Sequence, residues 1–99
     1  MYARFLTFTS TPDKRKAIEA MTDKVYATAS KLPGFVSAMY VASDDNTEYC
    51  SISLWKSQEE AQEAAKELGR QYGMLLADLA NAEVGLKLMH VYEPKPVTS

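Results

Sequence analysis

Few residues in this chain can do chemistry, and they lie far apart. His90 is the only histidine, and an unperturbed imidazole can act as a base near neutrality. It is equally an ordinary structural or interface residue, because it has no second histidine or clustered carboxylates for a metal site. Trp55, the single tryptophan, stands where an extended run gives way to a helix. Its ring either closes the gap between sheet and helix or turns its indole N–H toward a ligand oxygen. Arg4 lies in another extended run, where a buried guanidinium needs an oxygen partner. That partner is an acidic group on a ligand or an intersubunit carboxylate such as Glu48 or Glu93. Cys50, alone in an apolar run, reads as an inert buried thiol. The glycines at 34, 69, 73 and 85 are too scattered to cradle phosphate, so nucleotide cofactors have no support.

These residues are carried by a single domain over 1–93, followed by a short tail at 94–99. Tyr2 to Thr9 is rich in aromatic and β-branched residues and predicts a first strand. Thr11, Pro12 and Asp13 form a helix start, and Ile18, Met21 and Val25 continue as one apolar stripe. Pro33-Gly34 ends that helix. Phe35–Ala42 and Glu48–Trp55, joined by the polar turn Ser43-Asp44-Asp45-Asn46, predict an antiparallel hairpin. Ser57 and Glu60 match a capping box, and the second helix follows with Ala61, Ala64 or Ala65, Leu68 and Tyr72 on one side. Gly69 and Gly73 predict a bend, or a break into a short third helix over 74–80. Val84 to Tyr92 is the last strand, stopped by Glu93-Pro94.

The order β-α-β-β-α-β predicts an α+β, ferredoxin-like fold, with both helices on one face of a four-stranded antiparallel sheet. The other face then needs a cover. Its strands do not alternate with polar residues as a wet face would. Phe5 opposes Leu6 and Phe8; Phe35, Met39 and Val41 oppose Val36, Ala38 and Tyr40; Leu86 and Leu88 oppose Met89 and Val91. Two such sheets packed face to face in a homodimer would bury both faces. A formal charge of -2 supplies no basic field for nucleic acid. No apolar run reaches the roughly 18 residues of a membrane helix. No secretion signal is evident either, which makes the cytoplasm the default location.

Pro33-Gly34-Phe35, the hairpin, the Leu54-Trp55-Lys56-Ser57 junction with Glu59-Glu60-Ala61, and the closing Val91-Tyr92-Glu93-Pro94 together resemble the antibiotic biosynthesis monooxygenase domain. The resemblance covers nearly the whole chain. It implies a dimeric α+β barrel and, in part of the family, oxygenases that act on aromatic polyketides or quinols without metal or flavin. In those oxygenases a tryptophan and an asparagine near the end of this strand are implicated in binding or chemistry. The tryptophan matches Trp55, but the asparagine falls on Ser51, a shorter polar handle. A pocket tyrosine of that region matches Tyr40, whose phenol would position a hydroxyl-bearing ring or assist proton transfer. Tyr49 and Tyr72 are further substrate-binding candidates, each also readable as packing with a wet hydroxyl. Haem-degrading relatives use an asparagine in the first strand, a tryptophan in the second helix and a histidine beyond it. None of these is present here.

The resemblance implies a cofactor-independent monooxygenase for a small electron-rich aromatic such as a quinol, an anthrone or a polyketide-like compound. Trp55 and Tyr40 would orient the substrate, His90 or a tyrosine would deprotonate it, and Arg4 and Ser51 would help bind it. Two other readings stay open: a non-catalytic dimeric binding or accessory module, and a related isomerase or lyase.

Overall fold

A computed structural model describes residues 1–97. Strand β1 spans Tyr2–Thr9, and a single 3-10 turn over Pro12–Lys14 leads into helix α1, Arg15–Ala29. Strands β2 (Phe35–Ala42) and β3 (Glu48–Trp55) follow, then helix α2 (Gln58–Leu79) and strand β4 (Gly85–His90). The four strands form one antiparallel sheet in the order β2-β3-β1-β4. This is the β-α-β-β-α-β arrangement read from the sequence.

Local chemistry explains most of the boundaries. Gly34 has φ +82°, a left-handed backbone that a side chain resists. A Cβ there would also come within 2.5 Å of the Glu60 side chain. The Gly34 carbonyl accepts the Lys56 N–H at 2.9 Å, which ties the end of the first crossover to the start of the second. Ser57 caps α2: its Oγ accepts the Glu60 N–H at 3.2 Å and donates to Glu60 Oε1 at 3.0 Å.

Three expectations need correction. Helix α2 runs unbroken through Gly69 and Gly73. Each glycine costs a helix roughly 0.8–1 kcal/mol against alanine, but Ala61, Ala64 and Leu68 before them and Leu79 after them are buried, so packing holds both ends. Strand β4 stops at His90 rather than Tyr92. The pattern of β2 is also offset by a bulge between Phe35 and Ser37. One extra residue reverses the side-chain alternation. Phe35 therefore lies with Ala38 and Tyr40 on the helix side, while Met39 and Val41 lie on the other.

Two apolar clusters lie between sheet and helices. Phe8, Ile18, Met21, Tyr49 and Leu79 make one, and Ala29, Trp55, Ala61, Ala64 and Leu68 the other, with Val25 packed against both. The opposite sheet face has no cover among the described residues: Met39 is 59% exposed and Met89 54%.

Candidate active site

Strand register sorts the site residues into rows across the helix-facing side of the sheet. Phe35, Trp55, Tyr2 and His90 share one row; Ala38, Ser53, Arg4 and Leu88 the next; Tyr40, Ser51, Leu6 and Leu86 a third; Ala42, Tyr49 and Phe8 a fourth. A cavity of about 100 Å³ lies under the helices above the third and fourth rows and reaches Arg4 in the second. Its remaining walls come from Val41 and Cys50 of the sheet, from Ile18, Met21, Thr22 and Val25 of α1, and from Leu68, Gly69, Tyr72, Gly73 and Leu76 of α2. It adjoins an outer recess of about 480 Å³ between α1 and β2, edged by Arg15, Glu19 and Asp23. Tyr40 and Tyr49 line both spaces.

Arg4 is the unusual member of this lining. It is 5% exposed, and its Nε has no hydrogen-bond partner among the described residues. The ion pairs among the described residues lie elsewhere, at Arg15–Glu19, Lys66–Glu63 and Arg70–Glu67. Glu48 pairs with Thr9 at the far end of the sheet, so it does not reach Arg4 within the chain. Burial pulls the Arg4 guanidinium below its ordinary pKa, opposed by the neighbouring Tyr40. Burial likewise pushes the Tyr40 phenol above its usual range, with Arg4 pulling down and Tyr26 adding a smaller push upward. Tyr40 is thus a neutral hydrogen-bond donor at physiological pH. It stands edge-on to Tyr26, with ring centroids 6.3 Å apart.

The other aromatic candidates are committed to structure. Tyr49 stacks on Phe8 with centroids 5.1 Å apart, and its hydroxyl donates to the Asn46 carbonyl at 3.2 Å. Tyr72 gives its ring to the cavity wall, but its hydroxyl crosses to α1, 2.6 Å from Thr28 Oγ1 and donating to the Lys24 carbonyl at 3.1 Å. Ser51 lines the cavity one row from Arg4, beside Tyr40.

Trp55 and His90 do not join them. Trp55 is 0% exposed in the second apolar cluster, its indole N–H donates to Ser53 Oγ at 2.9 Å, and it is not part of the cavity lining. Its ring fills the strand-to-helix corner, edge-on to Phe35 at 5.5 Å. His90 is exposed at the sheet edge, edge-on to Tyr2 at 5.2 Å, two rows from Tyr40 and Ser51. Among the described residues no carboxylate or imidazole lines the inner cavity. No group of three or more His, Cys, Asp or Glu side chains comes together among the described residues. No described helix is long and apolar enough to cross a membrane.

The sequence reading missed Gly69 and Gly73 as wall residues, taking them only as weak points in a helix. Their spacing of four, beside Leu68 and Tyr72, was the available signal. It also missed Thr22 and Leu6, which the apolar stripes of α1 and β1 carry into the same space.

A ferredoxin-like sheet thus carries under its helices a mostly apolar cavity lined by one buried cation, Arg4, and by three tyrosines, Tyr40, Tyr49 and Tyr72. The antibiotic biosynthesis monooxygenase family model matches residues 1–68, and the chain belongs to that family. The match includes Arg4, Tyr40, Ser51 and Trp55 and ends one residue before Gly69. Among solved structures, Rv0793 from Mycobacterium tuberculosis is similar at 19% identity and TM-score 0.81, covering 96% of this chain and 98% of that one. SnoaB, a cofactor-independent oxygenase from Streptomyces nogalater, is similar at 21% identity and TM-score 0.74, covering 97% of each chain. A Streptomyces coelicolor monooxygenase from the gene ActVA-Orf6, in complex with nanaomycin D, is similar at 22% identity and TM-score 0.76, covering 98% of this chain and 92% of that one. These likenesses establish a shared fold. No curated protein matches the chain by sequence.

Proposed function

We propose that this protein is a cofactor-independent monooxygenase acting on a small electron-rich aromatic of the quinol, anthrone or polyketide-like kind. The observation that carries the reading is Arg4, a buried guanidinium with an unpartnered Nε and no ion pair among the described residues, in a mostly apolar cavity next to a protonated Tyr40. Such a cation is costly until an anionic oxygen reaches it. Membership of the family and the ring-bound S. coelicolor neighbour support the substrate class.

In this mechanism Arg4 favours the ionised substrate, and Tyr40, with Ser51 beside it, hydrogen-bonds a ring oxygen. The substrate proton leaves through the outer recess, where Glu19 and Asp23 stand. The anion gives one electron to oxygen, and the resulting radical pair closes a carbon–oxygen bond to form a peroxide. Loss of water leaves a carbonyl. At an anthrone-type CH2 the carbon loses two hydrogens and gains one oxygen atom. The second oxygen atom departs as water with those hydrogens, so the step needs no external reductant. Trp55 takes no part in this scheme beyond packing the strand-to-helix corner two rows away. His90, at the sheet edge, has no step in this scheme.

The biological unit in this reading is a homodimer joined through the uncovered sheet face, where Phe5, Ile52 and Met39 share one row. The second reading, a dimeric binding or accessory module, is favoured by the cavity's lack of a carboxylate or imidazole and by the committed Trp55 N–H. Oxygen uptake separates the two. Purified protein given hydroquinones and anthrone-type phenols without metal or flavin is expected to consume oxygen above the uncatalysed rate. Tyr40→Phe is expected to lower that rate by about tenfold to a hundredfold, as loss of a charge-stabilising donor does. Folded protein that consumes no oxygen across the panel would assign it to the binding module.

A further inference from the structure

Gly69 and Gly73 weaken α2, and the packing around them gives no reason for glycine. They lie four residues apart, both exposed, and both line the inner cavity. A Cβ built on either meets no heavy atom within 4 Å, so neither position demands glycine for want of space at the backbone. A glycine pair alone indicates no ligand. The same cavity, however, holds Arg4, 5% exposed and with its Nε unpartnered, and a buried cation in that state requires an oxygen from elsewhere.

We propose that Gly69 and Gly73 form a port between α1 and α2 that admits a flat, fused-ring aromatic monoanion, its charged oxygen on Arg4 and its hydrocarbon edge across the bare helix backbone. The proposal rests on the cavity being the substrate site and goes on to name the ligand's charge, shape and route. The volume argues for it. The inner cavity of about 100 Å³ is well below the roughly 300–1,000 Å³ of ordinary ligand pockets, so a fused ring cannot lie wholly inside. The space left by two absent side chains lets the rest of the ring lie across α2. Tyr72, between the glycines in sequence, is tied by its hydroxyl to Thr28 and Lys24 of α1, which holds the helices at a set separation beside the port. A flat ligand fits such a gap better than a bulky one.

Calorimetric titration with naphthoate and with its neutral counterpart naphthalenemethanol tests this, because neither reacts with oxygen. The wild-type protein is expected to bind naphthoate about tenfold more tightly or better, the size of a charge-assisted hydrogen bond. Arg4→Met is expected to erase that preference while leaving the neutral probe's affinity in place, and Arg4→Lys to keep part of it. Gly69→Leu with Gly73→Leu is expected to weaken both probes by about tenfold or more while raising Tm, since leucine is the better helix former. Benzoate, with one ring fewer, should lose less. Equal affinity for the two naphthalene probes, binding of neither, or full affinity in the double leucine variant overturns the proposal. Probe binding of the expected pattern without oxygen uptake on any quinol would leave this site standing and remove only the oxygenase reading.

Discussion

Arg4 and Tyr40 define each other at the scale of single residues. The guanidinium is short of a partner, and the phenol beside it is held neutral by burial. The folded protein therefore keeps the Tyr40 proton to higher pH than the unfolded chain does. Between the two pKa values the native state binds more protons, so stability that is intact below the ordinary tyrosine range is lost as pH rises through the folded value. An ultraviolet titration should show a tyrosine phase above the ordinary range. Tyr40→Phe should remove that late phase and flatten the alkaline fall in stability. Absence of such a phase in the wild-type protein would contradict the placement. Trp55 makes a contrasting case, because its indole N–H is the partner of the buried Ser53 hydroxyl. Trp55→Phe strands that hydroxyl, and the expected loss is about 1–3 kcal/mol in urea unfolding. Oxygen uptake should then fall only with the folded fraction.

Among the elements, the two crossovers carry the architecture through a few local choices. Gly34 combines a left-handed backbone with close approach to Glu60, so Gly34→Ala is expected to cost at least about 1–2 kcal/mol in denaturant unfolding. Ser57→Ala removes the cap of α2 and should cost about 1 kcal/mol in the same measurement. A near-zero change at Gly34 would mean that the Glu60 side chain swings aside and the backbone tolerates alanine. Both sites were legible in the sequence because turns and caps are decided by one or two residues. The β2 bulge was not, since a strand of eight mostly apolar residues carries no mark of where one extra residue enters. That bulge turns Phe35 inward to Trp55 and leaves Met39 and Val41 on the outer face.

For the whole molecule, the question is what covers the second sheet face. Met39, Val41 and Met89 are exposed there in a single chain, and a 99-residue domain gains much from extra burial. The homodimer proposed above predicts twice the chain mass in light scattering after size exclusion. Met39→Lys, which sets a charge in the row of Phe5 and Ile52, should return the monomer mass and leave the helix-side cavity intact. A monomeric wild-type protein would reject the sheet-face dimer.

Periodicity, turn residues and caps determined the element order and the sheet-and-helix layering, because these depend on neighbours one to four positions away. They also placed Arg4, Leu6 and Phe8 on one face of β1, since a strand alternates strictly until a bulge interrupts it. The shared cavity depended on contacts between distant segments. Only the packing of α1 and α2 on the sheet showed that Trp55 spends its N–H on Ser53, and that His90 stands at the edge. The same packing brings Gly69, Gly73, Tyr40 and Arg4 around one space. The cavity and the place of His90 come from register and helix placement, with partners 44 residues apart at Thr28 and Tyr72 and 88 apart at Tyr2 and His90, and no local pattern encodes them.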